Sequence, residues 1–335
     1  MKTNLKIRLR TFFSFSYLFN IFFAFSIFFL SCENKISKEA QIEAIPVDLN
    51  FERFDLKFYD HSAEVIPELK EQYPFLFPRQ FSDSVWIKRQ NDSLQLLLQE
   101  AVKKVFIDIS YLEVDVSNLF KHIKYYFPKT KIPRVITLTN NVDYQIKTVY
   151  SDSLLLISLD TFLGPEHPLY VGIPNYIRKE LDKKYIVSQI AEKFSAYVIQ
   201  PPQDRTFLAQ MIYEGKKLFL QDLLMPNEKD IVKIAYSNYE LDWVKNNEVY
   251  IWQFFIEKKL LYQTDSQWTE RFIEPAPFSK FYLQLDNESP GRIGRWVGWQ
   301  IVRSFHENNL DVSLQDLMEV AAQELFKKSK YKPKR

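Results

Sequence analysis

Residues 285–303 read LDNESPGRIGRWVGWQIVR, and this stretch decides how the helical half of the chain packs. Ser is a strong helix N-cap and Pro is favoured at the first helical position, so Ser289 and Pro290 predict the start of a helix. The free N–H groups at that start could bind an anion near Arg292 and Arg295. No phosphate-binding loop accompanies them, so we interpret the stretch first as a packing element.

Three of the six glycines of the chain lie on one face of this helix, because Gly291, Gly294 and Gly298 recur at steps of three and four residues. A helix face without Cβ atoms lets another helix or strand approach closely. Close packing inside the domain is one explanation of this glycine strip. The alternative is a docking surface for a partner or peptide beside Trp296 and Trp299.

Apolar residues at helical spacing predict that most of the chain is helical. A first helix follows Asp92, with one face formed by Leu94, Leu97, Leu98, Ala101, Val102, Val105 and Phe106. A second helix stops at Pro128 and has a face formed by Leu112, Val116, Leu119, Phe120 and Ile123. Further helices are predicted at 181–199, 205–224, 239–262, 290–306 and 313–328.

Between the second helix and the later ones, the pattern changes to short branched or aromatic runs. These runs occupy 135–138, 144–150 and 154–159, and they predict a small antiparallel sheet. Residues 47–91 are interpreted as loops, a short strand near 50–58 and one helix. The predicted fold is therefore α+β and mainly helical, with a single domain over 47–328 and a basic tail over 329–335.

Composition excludes several classes of protein. The 335 residues are 46% hydrophobic, which is enough for a substantial core, and they contain no GxGxxG or GxxxxGK[ST] string. A single cysteine excludes disulfide frameworks and Cys-ligated zinc clusters. The histidines are too scattered for a His-rich metal site: His61, His122, His167 and His306. We therefore expect no metal and no cofactor.

Residues 1–31 have the layout of an export signal. Four basic residues precede an apolar run at 11–30, and Ser31 then precedes the only cysteine, Cys32. This end resembles a bacterial lipobox, which implies cleavage before Cys32, diacylglycerol on its thiol and an acyl chain on its new amine. An uncleaved membrane helix and an unused thiol are the alternatives. Residues 32–46 would then form a lipid-anchored tether.

Removal of residues 1–31 leaves 40 basic and 42 acidic residues, a net charge of −2. A body that is nearly neutral has no global electrostatic signature of nucleic-acid binding. Several acyl chains on Cys32 would give stable membrane attachment. The sequence therefore predicts a bacterial envelope protein with its body outside the cytoplasm and with no nucleic-acid partner, and it leaves open whether the inner or the outer membrane carries it.

Several segments resemble the gliding-motility lipoprotein family GldB. The longest is 285–303, and the others are 121–128, 211–218, Asn247-Glu248 with Ile251-Trp252, 276–282 and 329–335. With Cys32 in place, the resemblance extends over essentially the whole mature chain. It implies a cell-envelope lipoprotein that is needed for gliding, is linked to the associated protein-secretion machinery and has other proteins of that apparatus as partners. It implies no molecular mechanism.

A sheet, a helix and then a second helix with an acidic residue is the order of a zincin metallopeptidase, whose HExxH motif supplies two ligands and the base. Here Glu192 lies in AEKFS, residues 191–195, and Glu214 follows Ser195 by nineteen residues. Ala191 and Ser195 stand at the two histidine positions, so two ligands are missing. The pattern indicates either a degenerate zincin-like scaffold, with Glu192 and Glu214 as catalytic relics, or a chance helical string.

A simpler explanation applies to Glu214, which shares a helical face with Phe207, Met211 and Leu218 and is predicted to be partly buried. A buried carboxylate needs a partner. The expected partners are Arg178, Lys193 or a backbone donor, and the ion pair would fix the register of the helix.

The segment 327–335 contains six basic residues in nine. Such a tail is usually solvated, although on a lipid-anchored protein it could contact anionic head groups or an acidic partner. The sequence thus predicts an envelope lipoprotein of gliding motility that acts through protein contacts, without chemistry of its own. The alternative is a divergent envelope metallopeptidase-like hydrolase that uses Glu192 and Glu214.

Overall fold

The computed structural model describes residues 37–59, 63–284 and 286–333. The chain divides between Ala44 and Ile45 into two units. In the first unit, helix α1 (Lys38–Glu43) begins after Ser37, whose hydroxyl accepts a hydrogen bond from the Ala40 N–H. The predicted signal segment and the predicted lipid attachment site at Cys32 lie outside the described residues.

Helices dominate the described part of the second unit and occur on both sides of a small sheet. The N-terminal helices are α2 (Phe54–Tyr59), α3 (Ile66–Gln72), α4 (Asp83–Gln90), α5 (Ser93–Val105) and α6 (Ser110–Tyr126). After the sheet come α7 (Asn175–Arg178), α8 (Ile186–Val198), α9 (Phe207–Leu224), α10 (Asp230–Lys233), α11 (Asn238–Asn246), α12 (Glu248–Glu257), α13 (Gln267–Phe272), α14 (Ile293–Asn308), α15 (Leu314–Glu319) and α16 (Ala322–Ser329). The prediction of a mainly helical chain is confirmed.

The strands are β1 (Phe51–Arg53), β2 (Arg134–Leu138), β3 (Thr148–Ser151) and β4 (Leu154–Ser158). They form one sheet in the order β1-β2-β4-β3. The β1–β2 and β2–β4 pairs are parallel, and the β3–β4 hairpin is antiparallel. The prediction of a small sheet is confirmed, but the sheet is mixed, so the prediction of an antiparallel sheet is wrong.

Helices cover both faces of this sheet, as is usual for parallel strands such as β2 and β4. Val135 and Leu155 belong to the hydrophobic cluster of α6 and α8, whereas Ile136 belongs to the cluster of α2, α3 and α4. Strands that are apolar on both faces are typical of buried parallel pairs. The apolar pattern therefore located β2 and β4 correctly, but it began β3 at 144 instead of 148 and did not identify the neighbours of the strands.

Helix α14 begins at Ile293 instead of Pro290. Arg292 occupies the N-cap position with a left-handed backbone, φ 60°. The Ser289 hydroxyl does not cap the helix; it donates to the Ser279 carbonyl at 3.1 Å. This long-range contact holds 289–291 outside the helix and overrides the local capping signal.

Two other predicted helices are interrupted in the structure. The segment 239–262 forms α11 and α12, which are separated at Asn247, and 313–328 forms α15 and α16, which are separated at Val320 and Ala321. Within the segment predicted as a tail, the Tyr331 hydroxyl donates to Glu248 at 2.6 Å and its ring lies 5.3 Å from that of Trp252.

Candidate functional site

Helices α9 and α14 approach so closely that their backbones are in contact. A Cβ added to Gly298 would lie 1.8 Å from the Met211 carbonyl oxygen, and one added to Gly215 would lie 2.2 Å from the Gly298 carbonyl carbon. Real side chains are excluded at such distances. Glycine at 215 and 298 is therefore what permits this helix pair.

The rest of the glycine strip also faces the interior. A Cβ on Gly294 would lie 2.9 Å from the Phe272 carbonyl oxygen, and one on Gly291 would lie 2.3 Å from the Ala276 carbonyl oxygen. Trp296 and Trp299 are buried. The structure thus places all the candidate interaction residues of this strip, Gly291, Gly294, Gly298, Trp296 and Trp299, in internal packing.

The close approach of the helices brings the two candidate carboxylates to one guanidinium. Arg295 of α14 donates to Glu192 of α8 at 2.9 Å, and its Nε lies 3.2 Å from a carboxylate oxygen of Glu214 on α9. Lys217, one turn after Glu214, lies 2.7 Å from the other oxygen of that carboxylate. Glu214 is therefore partly buried and paired, as predicted. The predicted partners, Arg178 and Lys193, are wrong, because the pairing partners are Arg295 and Lys217.

A second carboxylate extends this group of charges toward the sheet. Glu180 pairs with Arg292 at the start of α14 and with Lys147 before β3, the latter at 3.1 Å. We call the seven residues the charge cluster: Lys147, Glu180, Glu192, Glu214, Lys217, Arg292 and Arg295. Four cations and three carboxylates give it a formal charge of +1. Arg292 and Arg295 thus bind carboxylates of the chain itself, and an external anion is not needed to explain them.

Glu192 is the most exposed member of the charge cluster, with 28% of its side chain accessible, compared with 16% for Glu214 and 9% for Arg295. Burial alone would raise the pKa of Glu192, but the attraction of Arg295, Lys217, Lys147 and Arg292 outweighs it and lowers the pKa to about 2. A carboxylate with such a low pKa is a weak general base near neutral pH.

The residues at the histidine positions of the zincin pattern face the core. Ala191 and Ser195 are fully buried, and the Ser195 hydroxyl donates to the Ala191 carbonyl at 2.7 Å. In the described ranges, no group of three or more His, Cys, Asp or Glu side chains is placed to hold a metal ion. The space between Glu192 and Glu214 contains the Arg295 guanidinium, so the two acids form an ion pair network instead of a ligand set.

The sequence did not lead us to predict a second ion pair network, which is centred on Arg303. Arg303 on α14 binds Asp222 of α9 at 2.8 Å and Asp230 of α10 at 2.9 Å, and Lys233 lies 3.0 Å from Asp222. The Trp299 indole also donates to Asp222 at 2.9 Å. The available signal was the placement of Arg292, Arg295 and Arg303 on the apolar side of a helix, which predicts acidic partners on its neighbours.

A family model for the gliding motility protein GldB matches residues 35–333. The chain belongs to the GldB family. This membership implies a role in gliding motility. No curated protein and no solved structure matches the sequence.

The segments that resemble GldB meet in the fold. Segment 211–218 lies on α9 and contacts α14, within 285–303, through Gly215 and Gly298. Glu248 and Trp252 contact Tyr331 of the C-terminal segment. The GldB-like residues therefore include the closest helix contact and the contact that holds the end of the described chain.

A cavity of about 870 Å³ lies beside the N-terminal half of α9, between the 199–204 loop and α15 and α16. Lys216 lines it and donates to the carbonyls of Met318 and Val320, at 2.8 Å each. Burial lowers the pKa of Lys216 to about 8. Because both hydrogen bonds go to carbonyls at the end of α15, Lys216 stabilises the junction of α15 and α16.

None of the helices in the described ranges combines the length and the apolar character needed to cross a membrane. The apolar run at 11–30 and Cys32 lie outside those ranges, so the predicted attachment to a membrane depends on the sequence alone.

Proposed function

We propose that this GldB-family chain is a lipid-anchored cell-envelope protein of gliding motility that acts through protein contacts and performs no chemistry of its own. The observation that carries the proposal is the pairing of both candidate carboxylates, Glu192 and Glu214, with Arg295. A pKa of about 2 at Glu192 supports the same conclusion, because it makes that carboxylate a weak base.

The lipid anchor is proposed from the N-terminal sequence. Basic residues, an apolar run, the small residue Ser31 and then Cys32 form the signal and lipobox pattern. Two or more acyl chains suffice for stable membrane attachment. Other envelope proteins of the motility and secretion apparatus are the proposed partners.

Cys32→Ala tests the anchor, because only Cys32 can provide the thiol. We expect cells that express the variant to incorporate no labelled palmitate into the protein and to lose gliding. Ser31→Ala is the matched control, since it keeps a small residue before the cysteine and should retain the label. Wild-type labelling of Cys32→Ala would refute lipidation at this residue.

Glu192→Gln tests the absence of chemistry, since Glu192 is the most accessible carboxylate of the charge cluster. Cells that carry this variant should glide normally if the protein accumulates at its usual level. Loss of gliding while the folded variant accumulates at the normal protein level would contradict a role through contacts alone.

A further inference from the structure

Another pocket lies at the carboxyl end of β2. It has a volume of about 270 Å³ and lies between α2, α4 and the residues that follow Leu138. In open α/β sheets, ligands bind outside the carboxyl ends of parallel strands. We call this cavity the sheet-edge pocket.

Four aromatic rings form its apolar lining. Phe77 lies 4.8 Å from Trp86 and 6.0 Å from Phe54, and Phe54 lies 5.5 Å from Phe58, measured between ring centroids. Trp86 is only 9% exposed, and its indole N–H is buried without a hydrogen-bond partner in the described residues. These rings therefore offer an apolar side chain an aromatic lining.

Another part of the lining of the sheet-edge pocket is polar. The Tyr59 hydroxyl donates to Gln95 at 2.8 Å, and the Gln95 amide donates to the Asn141 side-chain oxygen at 2.6 Å. Arg89 also reaches that oxygen, but at 3.5 Å. No carboxylate of the described ranges forms an ion pair with Arg89, so a positive charge is available at the rim.

A buried carboxylate fixes this part of the lining in place. Asp160 accepts hydrogen bonds from the backbone N–H groups of Asn140 at 3.0 Å and Val142 at 2.8 Å. Asn141 and Val142 both have left-handed backbones, with φ 67° and 56°. Such a conformation is rare for a β-branched residue. The hydrogen bonds to Asp160 hold the backbone in this conformation, so this part of the lining is formed before any partner binds.

Exposed apolar side chains occur in the segments that adjoin the pocket lining in sequence. Phe75, Phe81 and Val85 are each between 43% and 45% exposed, and the ring of Phe81 lies 6.0 Å from that of Trp86. Three more exposed leucines follow on α5: Leu94, Leu96 and Leu97. A concentration of exposed apolar residues around a pocket is typical of a protein interaction site.

We infer that the sheet-edge pocket binds a segment of a partner protein, which inserts one large apolar side chain among Phe54, Phe77 and Trp86 and places a carboxylate beside Arg89. A volume of about 270 Å³ is below the roughly 300–1,000 Å³ of small-molecule sites, and it suits one side chain. Arg89, which forms no ion pair with a carboxylate of the described residues, favours an acidic neighbour. This inference rests on the proposed function, because it identifies where one of the protein contacts is made.

The test is photo-crosslinking in gliding cells with p-benzoylphenylalanine at position 81, and with the same probe at Tyr250 as the control. Tyr250 is 69% exposed on α12, away from the sheet-edge pocket. We expect the probe at 81 to capture one envelope protein, at a segment that contains a large apolar residue next to Asp or Glu. The probe at 250 should give at least tenfold less of this product.

Charge reversal identifies the contact with Arg89. Arg89→Glu should reduce the yield of the product at least tenfold, and Lys88→Glu should not, because Lys88 is exposed on the same helix but does not line the pocket. Changing the acid of the partner segment to Lys should restore the yield with Arg89→Glu. Val85→Arg, at a half-exposed position, should also block binding without a change in thermal midpoint.

Several results would overturn the inference. The first two are equal crosslinking from positions 81 and 250 and a crosslinked product whose yield is insensitive to Arg89→Glu. The third is a product that contains only phospholipid or a second copy of this chain. The fourth is a small molecule that native mass spectrometry finds bound to the protein and that occupies the pocket. Any of these results excludes the sheet-edge pocket as a binding site for the partner segment. The proposed function still stands if incorporation of labelled palmitate requires Cys32 and cells with Glu192→Gln glide.

Discussion

At the scale of single residues, Arg295 connects three helices, because its guanidinium on α14 contacts Glu192 on α8 and Glu214 on α9. A buried ion pair adds little net stability compared with apolar residues of the same size, but loss of one partner is strongly destabilising. The charge cluster therefore fixes how these helices are arranged. Protonation of its carboxylates at low pH should lower the unfolding free energy of the protein.

Glu192→Gln should make the protein less sensitive to acid. Because the pKa of Glu192 is lowered to about 2 from 4.5, its stabilisation is complete above pH 4.5 and disappears as the pH falls toward 2. We expect the variant to lose on the order of 2 kcal/mol of unfolding free energy at pH 7 and almost nothing near pH 2. Urea titrations at both pH values measure this difference.

The matched control for this titration is Glu307→Gln, at an exposed position on the same helix as Arg295. It should change the unfolding free energy by less than about 0.5 kcal/mol at either pH. A loss for Glu192→Gln that is equal at pH 7 and pH 2 would mean that the carboxylate charge does not act through Arg295.

At the scale of elements, the contact between α9 and α14 depends on glycine backbones. Gly298→Ala would place a Cβ 1.8 Å from the Met211 carbonyl oxygen, so the helices must separate. We expect a loss of about 3 kcal/mol of unfolding free energy, the upper part of the usual range for overpacking. Thermal and urea unfolding of the purified body measure it.

Glu307→Ala serves as the control for this substitution, since it adds no atoms and lies on the solvent side of α14. A loss below about 0.5 kcal/mol for Gly298→Ala would show that the two backbones are not in contact. Normal stability together with lost gliding would instead favour the docking interpretation of the glycine strip.

The same elements show how far a sequence predicts a fold. The faces of α6 and α9 were predicted because local apolar spacing fixes them: Leu112, Val116 and Phe120 are buried, as are Phe207 and Met211. The strand pairing was predicted wrongly as antiparallel, whereas β2 and β4 are parallel neighbours with helices packed on both faces of the sheet. The spacing of apolar residues within one strand does not show which helices pack on the two faces of the sheet.

For the site, the sequence predicted that Glu214 is partly buried and paired, but it did not predict the pairing partner. Arg295 lies 81 residues after Glu214, and it is brought there by the glycine contact of α9 and α14. The sheet-edge pocket was missed for a similar reason, because Trp86 lies in 47–91, where the sequence did not locate the elements, and Asn141 lies between two predicted strands. Long-range contacts of this kind follow from tertiary packing and not from local propensity.

At the scale of the whole molecule, α9 joins two hydrophobic cores. Leu218 and Phe219 belong to the core of α11 to α14, whereas Leu220 and Leu224 belong to the core that contains β2, β4, α6 and α8. A helix shared in this way couples the two cores, because one core cannot lose α9 without exposing apolar surface of the other. This argues for one cooperative unit, as the predicted single domain over 47–328 requires.

Hydrogen exchange with increasing urea tests that cooperativity. We expect the amides of β2, Arg134–Leu138, and of α14, Ile293–Asn308, to converge on one opening free energy, and Gly298→Ala to lower both by the same amount. Chains of this size often unfold through intermediates. A Gly298→Ala variant that weakens α14 and leaves β2 unchanged would therefore divide the body into two domains and reduce α9 to a connection between them.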